Sequence, residues 1–154
     1  MSNQWMIYGA NGYTGDLIAR RATAEGLTPV LAGRTESKIA PLAKELGLDY
    51  RIFPLDDAES IAAQLENFAL VLHAAGPFVH TARPVMEACL RSGTHYLDIT
   101  GEIPVFETGA ALGEKAAKAG IMIMPGTGFD VVPTDCMAVF LKDQLPDATH
   151  LQLA

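Results

Sequence analysis

A short apolar run that stops at a glycine, with two more glycines at three-residue spacing, is the feature that most restricts the fold. The run 6–8 ends at Gly9, Gly12 and Gly15 follow, and a helical pattern begins at Asp16. This order predicts a buried strand, a tight turn and the start of a helix. Because a helix starts with unpaired backbone N–H groups and the positive end of its dipole, the turn is suited to hold a phosphate.

Each glycine of the turn has a separate expected role. Gly9 allows the sharp turn, Gly12 lets the backbone approach a pyrophosphate, and Gly15 lets the helix pack closely on the strand. Because the commoner spacing is G-x-G-x-x-G and glycine also punctuates ordinary turns, a plain strand–helix connection is the alternative. The position directly between a strand and a helix favours a dinucleotide site. The residues expected to contact the dinucleotide here are Gly9, Asn11, Gly12, Tyr13, Thr14 and Gly15.

Length and charge narrow the class of protein. The chain has 154 residues, enough for one domain with a proper core. Its formal net charge is -7 and it has no run of Lys or Arg, so neither nucleic acid nor an anionic membrane is expected as a partner. No apolar run approaches the roughly 18 residues of a membrane span, and the start lacks the basic region of a signal peptide. A cytoplasmic location is therefore expected.

The cysteines and histidines do not predict a metal site. Cys89 and Cys136 lack metal-ligand spacing and are expected to be reduced thiols. The four histidines are too scattered for a metal motif. His73 ends an apolar run, and the expected role of such a residue is that of a satisfied core histidine.

Helical and strand patterns alternate along the chain. Strands are expected at 6–8, 29–32, 50–53, 68–73, 95–98 and 121–124. Helices are expected at 13–25, 36–46, 58–66, 81–91, 104–119 and 134–145. Such alternation predicts an α/β fold with a parallel sheet and right-handed crossovers.

The expected architecture is a Rossmann-type doubly wound parallel sheet in three layers, with about six strands in the order 3-2-1-4-5-6. Ligands of such sheets bind at the carboxyl ends of the strands where the order reverses, here between the first and fourth strands. The loop 74–78 after the fourth strand is then expected to face the glycine turn.

The residues after the second strand indicate which dinucleotide is bound. A site selective for NAD offers Asp or Glu there to hold the ribose 2′-hydroxyl. Here Arg34 follows Gly33, and Lys38 lies just beyond. Since a guanidinium attracts a 2′-phosphate and a carboxylate repels it, NADP is expected rather than NAD. Asp56, after the third strand, is placed to meet the adenine amino group, with a helix cap as the alternative.

Five spaced blocks carry a family likeness. They resemble the saccharopine dehydrogenase-like oxidoreductases, including the trans-acting enoyl reductase branch, and they cover nearly the whole chain. The blocks are GANGYTG at 9–15, AGR at 32–34, AGPF at 75–78, GTHYLDITGE at 93–102 and GFDVVPTD at 128–135. The resemblance implies an N-terminal NAD(P)-binding domain followed by an α/β substrate and dimerisation domain.

The division of the chain follows from this resemblance. Residues 1–147 are expected to form the NAD(P)-binding domain, and 148–154 to begin a second domain that also mediates homodimer formation. The alternation of polar and apolar residues over 149–153 is typical of a half-buried strand. The alternative is a short edge strand of the first domain.

The expected reaction is hydride transfer between NADPH and an organic substrate that the sequence does not identify. Ala75, Gly76 and Pro77 are expected to line the cofactor site, the last two on the nicotinamide half. The catalytic residues stay unassigned, and the chain alone is expected to be inactive. A dinucleotide-binding sensor or regulatory domain without turnover is the alternative function. The weak catalytic candidates are Tyr96, Asp98 and Asp130, for which core or capping roles are the alternative.

Overall fold

The computed structural model describes residues 4–152, which form one six-stranded parallel sheet flanked by helices. The strands are β1 (Trp5–Tyr8), β2 (Val30–Gly33), β3 (Tyr50–Ile52), β4 (Leu70–His73), β5 (His95–Asp98) and β6 (Ile123–Met124). The helices are α1 (Tyr13–Ala24), α2 (Glu36–Leu46), α3 (Ala58–Leu65), α4 (Phe78–Ser92), α5 (Ile103–Ala119) and α6 (Val132–Gln144). The sheet order is β3-β2-β1-β4-β5-β6, which confirms the predicted fold.

The central strands are buried on both faces. Met6 and Tyr8 of β1 belong to one hydrophobic core, and Ile7 between them belongs to a second core. Successive side chains of a strand point to opposite faces, so each core lies on its own side of the sheet. This two-sided burial explains why the strands read as continuous apolar runs rather than as alternating ones.

The register of the sheet brings three loops to one edge. Tyr8 at the end of β1 pairs with Ala32 of β2 on one side and with His73 of β4 on the other. The turn after β1, the end of β2 and the loop after β4 therefore meet at the carboxyl edge. This is the edge at which the reversal of strand order predicts a ligand.

Helix α4 begins three residues earlier than predicted, at Phe78 rather than Thr81. Its N-cap residue is Pro77, whose side chain makes no capping hydrogen bond. The carboxylate of Glu102 caps the helix instead, accepting hydrogen bonds from the backbone N–H groups of Phe78 and Val79. A partner so distant in the sequence cannot be read from local capping signals.

Helix α6 and the residues after it lie outside the two cores. None of the α6 residues is buried, and Met137 and Phe140 are more than half exposed. Residues 149–152 form no strand, so the alternative of an edge strand of this domain is wrong over these residues, and 153 lies outside the described residues. An isolated extended segment gains no ladder of hydrogen bonds, so a pattern of alternation alone does not stabilise a strand. No helix within residues 4–152 is long and apolar enough to cross a membrane.

Candidate functional site

A cleft of about 260 Å³ opens at the carboxyl edge of the sheet, above the reversal between β1 and β4. The glycine turn, the end of β2 with the start of α2, and the loop after β4 form its walls. Seven of the twelve residues predicted to bind the cofactor line it. These are Gly9, Asn11, Gly12, Arg34, Lys38, Ala75 and Gly76.

Two of the turn glycines are required by the protein itself. Gly9 has a φ of +85°, and a Cβ there would lie 2.8 Å from the backbone carbon of Ala74. A Cβ at Gly15 would overlap the carbonyl oxygen of Gly9 and lie 2.9 Å from the Cα of Ala10. Gly9 therefore makes the turn possible, and Gly15 lets α1 pack against the end of β1.

Gly12 differs, because neither its backbone conformation nor a severe overlap requires a glycine there. Its φ of -76° and ψ of 162° suit any residue. A Cβ at this position would meet only the carbonyl oxygen of Gly9, at 3.3 Å. The glycine at position 12 leaves this part of the cleft open, whereas the glycines at positions 9 and 15 are required by the turn itself.

The start of α1 beside this space is uncapped. Gly12 is the N-cap residue and has no side chain with which to accept a hydrogen bond. The first turn of the helix closes with the bond from the Asp16 N–H to the Gly12 carbonyl, at 2.8 Å. The preceding amides of Tyr13, Thr14 and Gly15 belong to the group that a helix leaves without intrahelical partners. Such amides, together with the helix dipole, attract an anion.

Two cations form the opposite wall of the cleft. Arg34 and Lys38 line it, and neither forms an ion pair within the described part of the chain. In contrast, the exposed Arg20, Arg21 and Arg83 are each paired with a carboxylate. Two cations without an ion-pair partner within residues 4–152 lie together on this wall, and their positive charge favours an anionic ligand group in the cleft.

Tyr8 lines the cleft together with Arg34, and its pKa is shifted by two nearby charges. Its hydroxyl donates a hydrogen bond to the carbonyl oxygen of Phe53, at 2.8 Å. Burial raises the pKa of Tyr8 to about 12, while the charge of Arg34 lowers this pKa and that of Asp56 raises it. Both charges therefore lie near the floor of the cleft.

Asp56 is not the helix cap that the alternative interpretation assigned to it. Asp57 is the N-cap residue of α3, and its Oδ1 accepts hydrogen bonds from the N–H groups of Glu59 and Ser60. A hydrogen bond with the Ser60 side chain, together with these N–H groups, holds the pKa of Asp57 below its usual value. The carboxylate of Asp56 is exposed beside the cleft but is not one of the residues that line it.

The other predicted contacts border the cleft without lining it. Tyr13 and Thr14 are exposed at the start of α1, and the Tyr13 side chain is 85% exposed. Gly15 is buried below the turn, and Pro77 is exposed next to Gly76 at the start of α4.

Tyr96 and Asp98 lie inside the domain rather than in the cleft. Both are fully buried, and the Tyr96 hydroxyl donates to Oδ2 of Asp98 at 2.6 Å. Oδ1 of Asp98 accepts hydrogen bonds from the N–H groups of Thr100 and Gly126. Burial and the adjacent carboxylate raise the pKa of the Tyr96 hydroxyl well above its usual value. These contacts correspond to the core and turn-capping roles that the sequence left open.

Asp130, the third catalytic candidate, also lies away from the cleft. It is exposed in the turn before α6, where its carbonyl oxygen accepts a hydrogen bond from the Thr134 hydroxyl. None of the three candidates contributes to the walls of the cleft.

Only one of the two ring nitrogens of His73 has a hydrogen-bond partner within residues 4–152. It is fully buried, and its Nε2 lies 2.9 Å from Oγ1 of Thr81, but its Nδ1 has no hydrogen-bond partner within residues 4–152. Burial lowers the pKa of His73 to about 3, so the ring is neutral at ordinary pH. Metal-binding clusters of His, Cys, Asp or Glu are not found among the described residues.

Sequence reasoning missed two residues at the edge of the site. Thr81 and Glu102 hold the loop after β4 from opposite sides, through side-chain bonds to its backbone. Thr81 could have been suggested by its place in the first turn of a helix. No local signal points to Glu102, which lies 24 residues after Phe78.

Comparison with known proteins shows the family to which this chain belongs. The family described as Saccharopine dehydrogenase NADP binding domain matches residues 5–124. A trans-acting enoyl reductase of Mycobacterium tuberculosis is 32% identical over 84% of this chain and 33% of its own length. A saccharopine dehydrogenase-like oxidoreductase of Rattus norvegicus is 27% identical over 92% of this chain and 38% of its own length. The chain thus spans less than two-fifths of these relatives.

A solved structure shows the same fold. Apo histidine-tagged saccharopine dehydrogenase (L-Glu forming) from Saccharomyces cerevisiae matches with a TM-score of 0.79 at 20% identity. The match covers 96% of this chain and 32% of that one. The family match covers all six strands of the sheet, and its named cofactor agrees with the one expected from Arg34. The chain therefore belongs to the saccharopine dehydrogenase NADP-binding domain family, and its cofactor is NADP.

Proposed function

We propose that the cleft between the glycine turn and the loop after β4 is the NADP site of this chain. The diphosphate lies on the uncapped start of α1, over Gly12. Arg34 and Lys38 hold the 2′-phosphate, and Asp56 faces the adenine. The nicotinamide half lies along the loop 75–77. The convergence of an uncapped helix start and two unpaired cations in one cleft carries this assignment.

The charges in the cleft support NADP over NAD. A 2′-phosphate gains hydrogen bonds from a guanidinium that forms no ion pair within the described residues. A hydrogen bond to a charged group contributes roughly 1.5–3 kcal/mol, and about 1.4 kcal/mol corresponds to a tenfold change in affinity. Arg34 alone thus accounts for a preference of roughly ten- to hundredfold.

For the whole protein we propose hydride transfer between NADPH and an organic substrate. The relatives are named as an oxidoreductase and an enoyl reductase, and this chain, which matches an NADP-binding domain family, spans less than two-fifths of their length. We assign no catalytic residue: Tyr96 and Asp98 are buried and engaged with each other, which favours catalytic groups from outside this domain.

The domain boundary stays a proposal as well. We propose that residues 148–154 begin a substrate and dimerisation domain, supported by the apolar side chains that α6 leaves exposed beside them.

We propose a cytoplasmic location because the chain has two free cysteines, one buried and one exposed, which suit a reducing compartment.

The affinities of the chain for NADPH and NADH, measured by calorimetry, test the site. We expect NADPH to bind more tightly, and Arg34→Ala to weaken NADPH roughly tenfold or more while leaving NADH unchanged. Arg21→Ala is the matched control, because Arg21 is an exposed arginine in the last turn of α1, at the opposite edge of the sheet. Equal affinities for both cofactors, or an equal loss in both variants, would contradict the proposal.

The reaction needs a separate test on the full-length gene product. We expect NADPH oxidation with one of a set of carbonyl, imine or enoyl compounds. Tight NADPH binding without turnover on any of them would favour a sensor over an enzyme.

A further inference from the structure

The loop after β4 is held from inside the domain. The Thr81 hydroxyl donates to the carbonyl oxygen of Ala75 at 2.7 Å and lies 3.2 Å from that of Pro77. Because its one hydrogen goes to a carbonyl, the Nε2–H of His73 is the donor in the 2.9 Å contact with the Thr81 oxygen. The ring of Phe78 packs edge-on against the His73 ring, with centroids 5.4 Å apart.

A single carboxylate holds the same segment from outside. Oε1 of Glu102 accepts a hydrogen bond from the Phe78 N–H at 2.9 Å, and Oε2 accepts one from the Val79 N–H at 2.6 Å. Pro77, the N-cap residue, makes no side-chain cap, so Glu102 supplies the acceptors that the start of α4 lacks. Charge-assisted bonds of this kind are about twice as strong as neutral ones.

Glu102 is itself anchored to the buried end of β5. Its N–H donates to the Thr100 hydroxyl at 3.0 Å, and the Thr100 N–H donates to Oδ1 of Asp98, also at 3.0 Å. The same Oδ1 accepts the Gly126 N–H at 2.7 Å. A series of hydrogen bonds thus runs from the loop after β6, through the end of β5, to the start of α4, two residues after the last residue of this segment that lines the cleft.

The two helix starts beside the cleft therefore differ in charge. The start of α1 is uncapped and open to an anion, whereas the start of α4 is already occupied by the Glu102 carboxylate. A phosphate is attracted to the first and repelled from the second. This difference favours one direction of a dinucleotide across the cleft, with its uncharged end toward α4.

We propose that Glu102 is a positioning residue of the cofactor site: it fixes the start of α4, and with it the loop 75–77, against the nicotinamide half, and it keeps phosphate away from the start of α4. This role rests on the proposed NADP site. Glu102 is not one of the residues that line the cleft, so it acts through the backbone of the loop. Loss of the Glu102 carboxylate should weaken the binding of the nicotinamide half of the cofactor and leave the binding of the adenine half unchanged.

The test compares NADPH with adenosine 2′,5′-bisphosphate, the adenine half of the cofactor, by calorimetry on the same chain. For Glu102→Ala we expect NADPH to bind roughly tenfold more weakly, because the loop must be ordered on binding. The affinity for the bisphosphate should stay within about twofold, since its contacts lie on the other side of the cleft. Glu102→Gln retains one acceptor oxygen and should give an intermediate loss.

Glu107→Ala is the matched control, since Glu107 is an exposed glutamate on α5 and should leave both affinities unchanged. If Glu102→Ala does not fold, Glu102→Gln decides the outcome by the same comparison. An equal loss for both ligands, or no loss for either, would overturn the positioning role. Failure of the unmodified chain to bind the bisphosphate would instead overturn the NADP site itself.

Discussion

At the scale of single residues, Gly12 and Gly15 are chemically identical and yet have opposite expected sensitivities. Gly12→Ala adds a methyl group that meets only one protein atom, at 3.3 Å, so its unfolding free energy should fall by no more than about 1 kcal/mol, the cost of a poorer N-cap. NADPH affinity should nevertheless fall at least tenfold, because the methyl group enters the space of the diphosphate. Urea denaturation and calorimetry measure the two quantities.

Gly15→Ala is the counterpart in that comparison. Its Cβ would overlap the Gly9 carbonyl, and forcing a methyl group into such a contact costs about 1–3 kcal/mol of unfolding free energy. A Gly12→Ala variant as unstable as Gly15→Ala would show that Gly12 is needed by the fold, and a variant that binds NADPH normally would show that Gly12 is not needed by the ligand.

His73 predicts a pH dependence of stability. Its pKa is about 3 in the folded protein and about 6.5 when unfolded, so the unfolded chain binds the extra proton between these values. Stability is therefore full above pH 6.5 and falls as the pH drops toward 3, by at most about 1.4 kcal/mol per pH unit. Denaturation at pH 7 and pH 5 should show a smaller loss for His73→Phe than for the unmodified chain.

The control for this pH effect is His150, which is exposed. His150→Phe should retain the full loss of stability between pH 7 and pH 5. The same loss in His73→Phe would mean that the dependence comes from other groups.

At the scale of elements, periodicity and turn residues were enough to place all six strands and six helices in order. The β5 strand lies at the predicted residues, His95–Asp98. The predicted ends of elements were wrong where a residue distant in the sequence determines where the element begins. Helix α4 starts at Phe78 with the carboxylate of Glu102 as its cap, and β6 is only Ile123–Met124 because its pairing with β5 begins at Ile123.

The candidate site was predicted where backbone geometry alone determines it. The glycine turn and the cations after β2 are local features of the sequence, and both line the cleft. Side-chain partners were not predictable in the same way. Tyr96 and Asp98 looked available for chemistry because both stand at a strand end, and only the folded structure pairs one with the other.

The N-cap of α3 can be tested because Asp57, which caps the helix, follows directly after Asp56, which does not. Asp57→Ala removes the acceptor for the N–H groups of Glu59 and Ser60 and should lower the thermal midpoint by a few degrees. Asp57→Asn should restore most of it, because asparagine is also a good N-cap. Asp56→Ala is the control and should leave the midpoint unchanged. Equal shifts for the two alanine variants would contradict the assignment of the cap to Asp57.

At the scale of the whole molecule, the distribution of burial is uneven. The helices α1 to α5 each bury side chains against the sheet, and α4 alone buries five residues. Helix α6 buries none, although it carries apolar side chains such as Phe140, which is 59% exposed. Thirteen residues are marginal as a helix in water without tertiary packing, so α6 gains little stability from the domain.

Amide hydrogen exchange of the 154-residue chain should therefore separate α6 from the rest. We expect the α4 amides to exchange only through global unfolding, and the α6 amides to exchange far faster, because opening α6 exposes no buried apolar side chain. If α6 packs on a second domain, as we propose, the same amides should become protected in the full-length gene product while α4 changes little. Equal protection of α4 and α6 in the 154-residue chain would contradict this account, since the contacts that protect α6 would then lie within the chain itself.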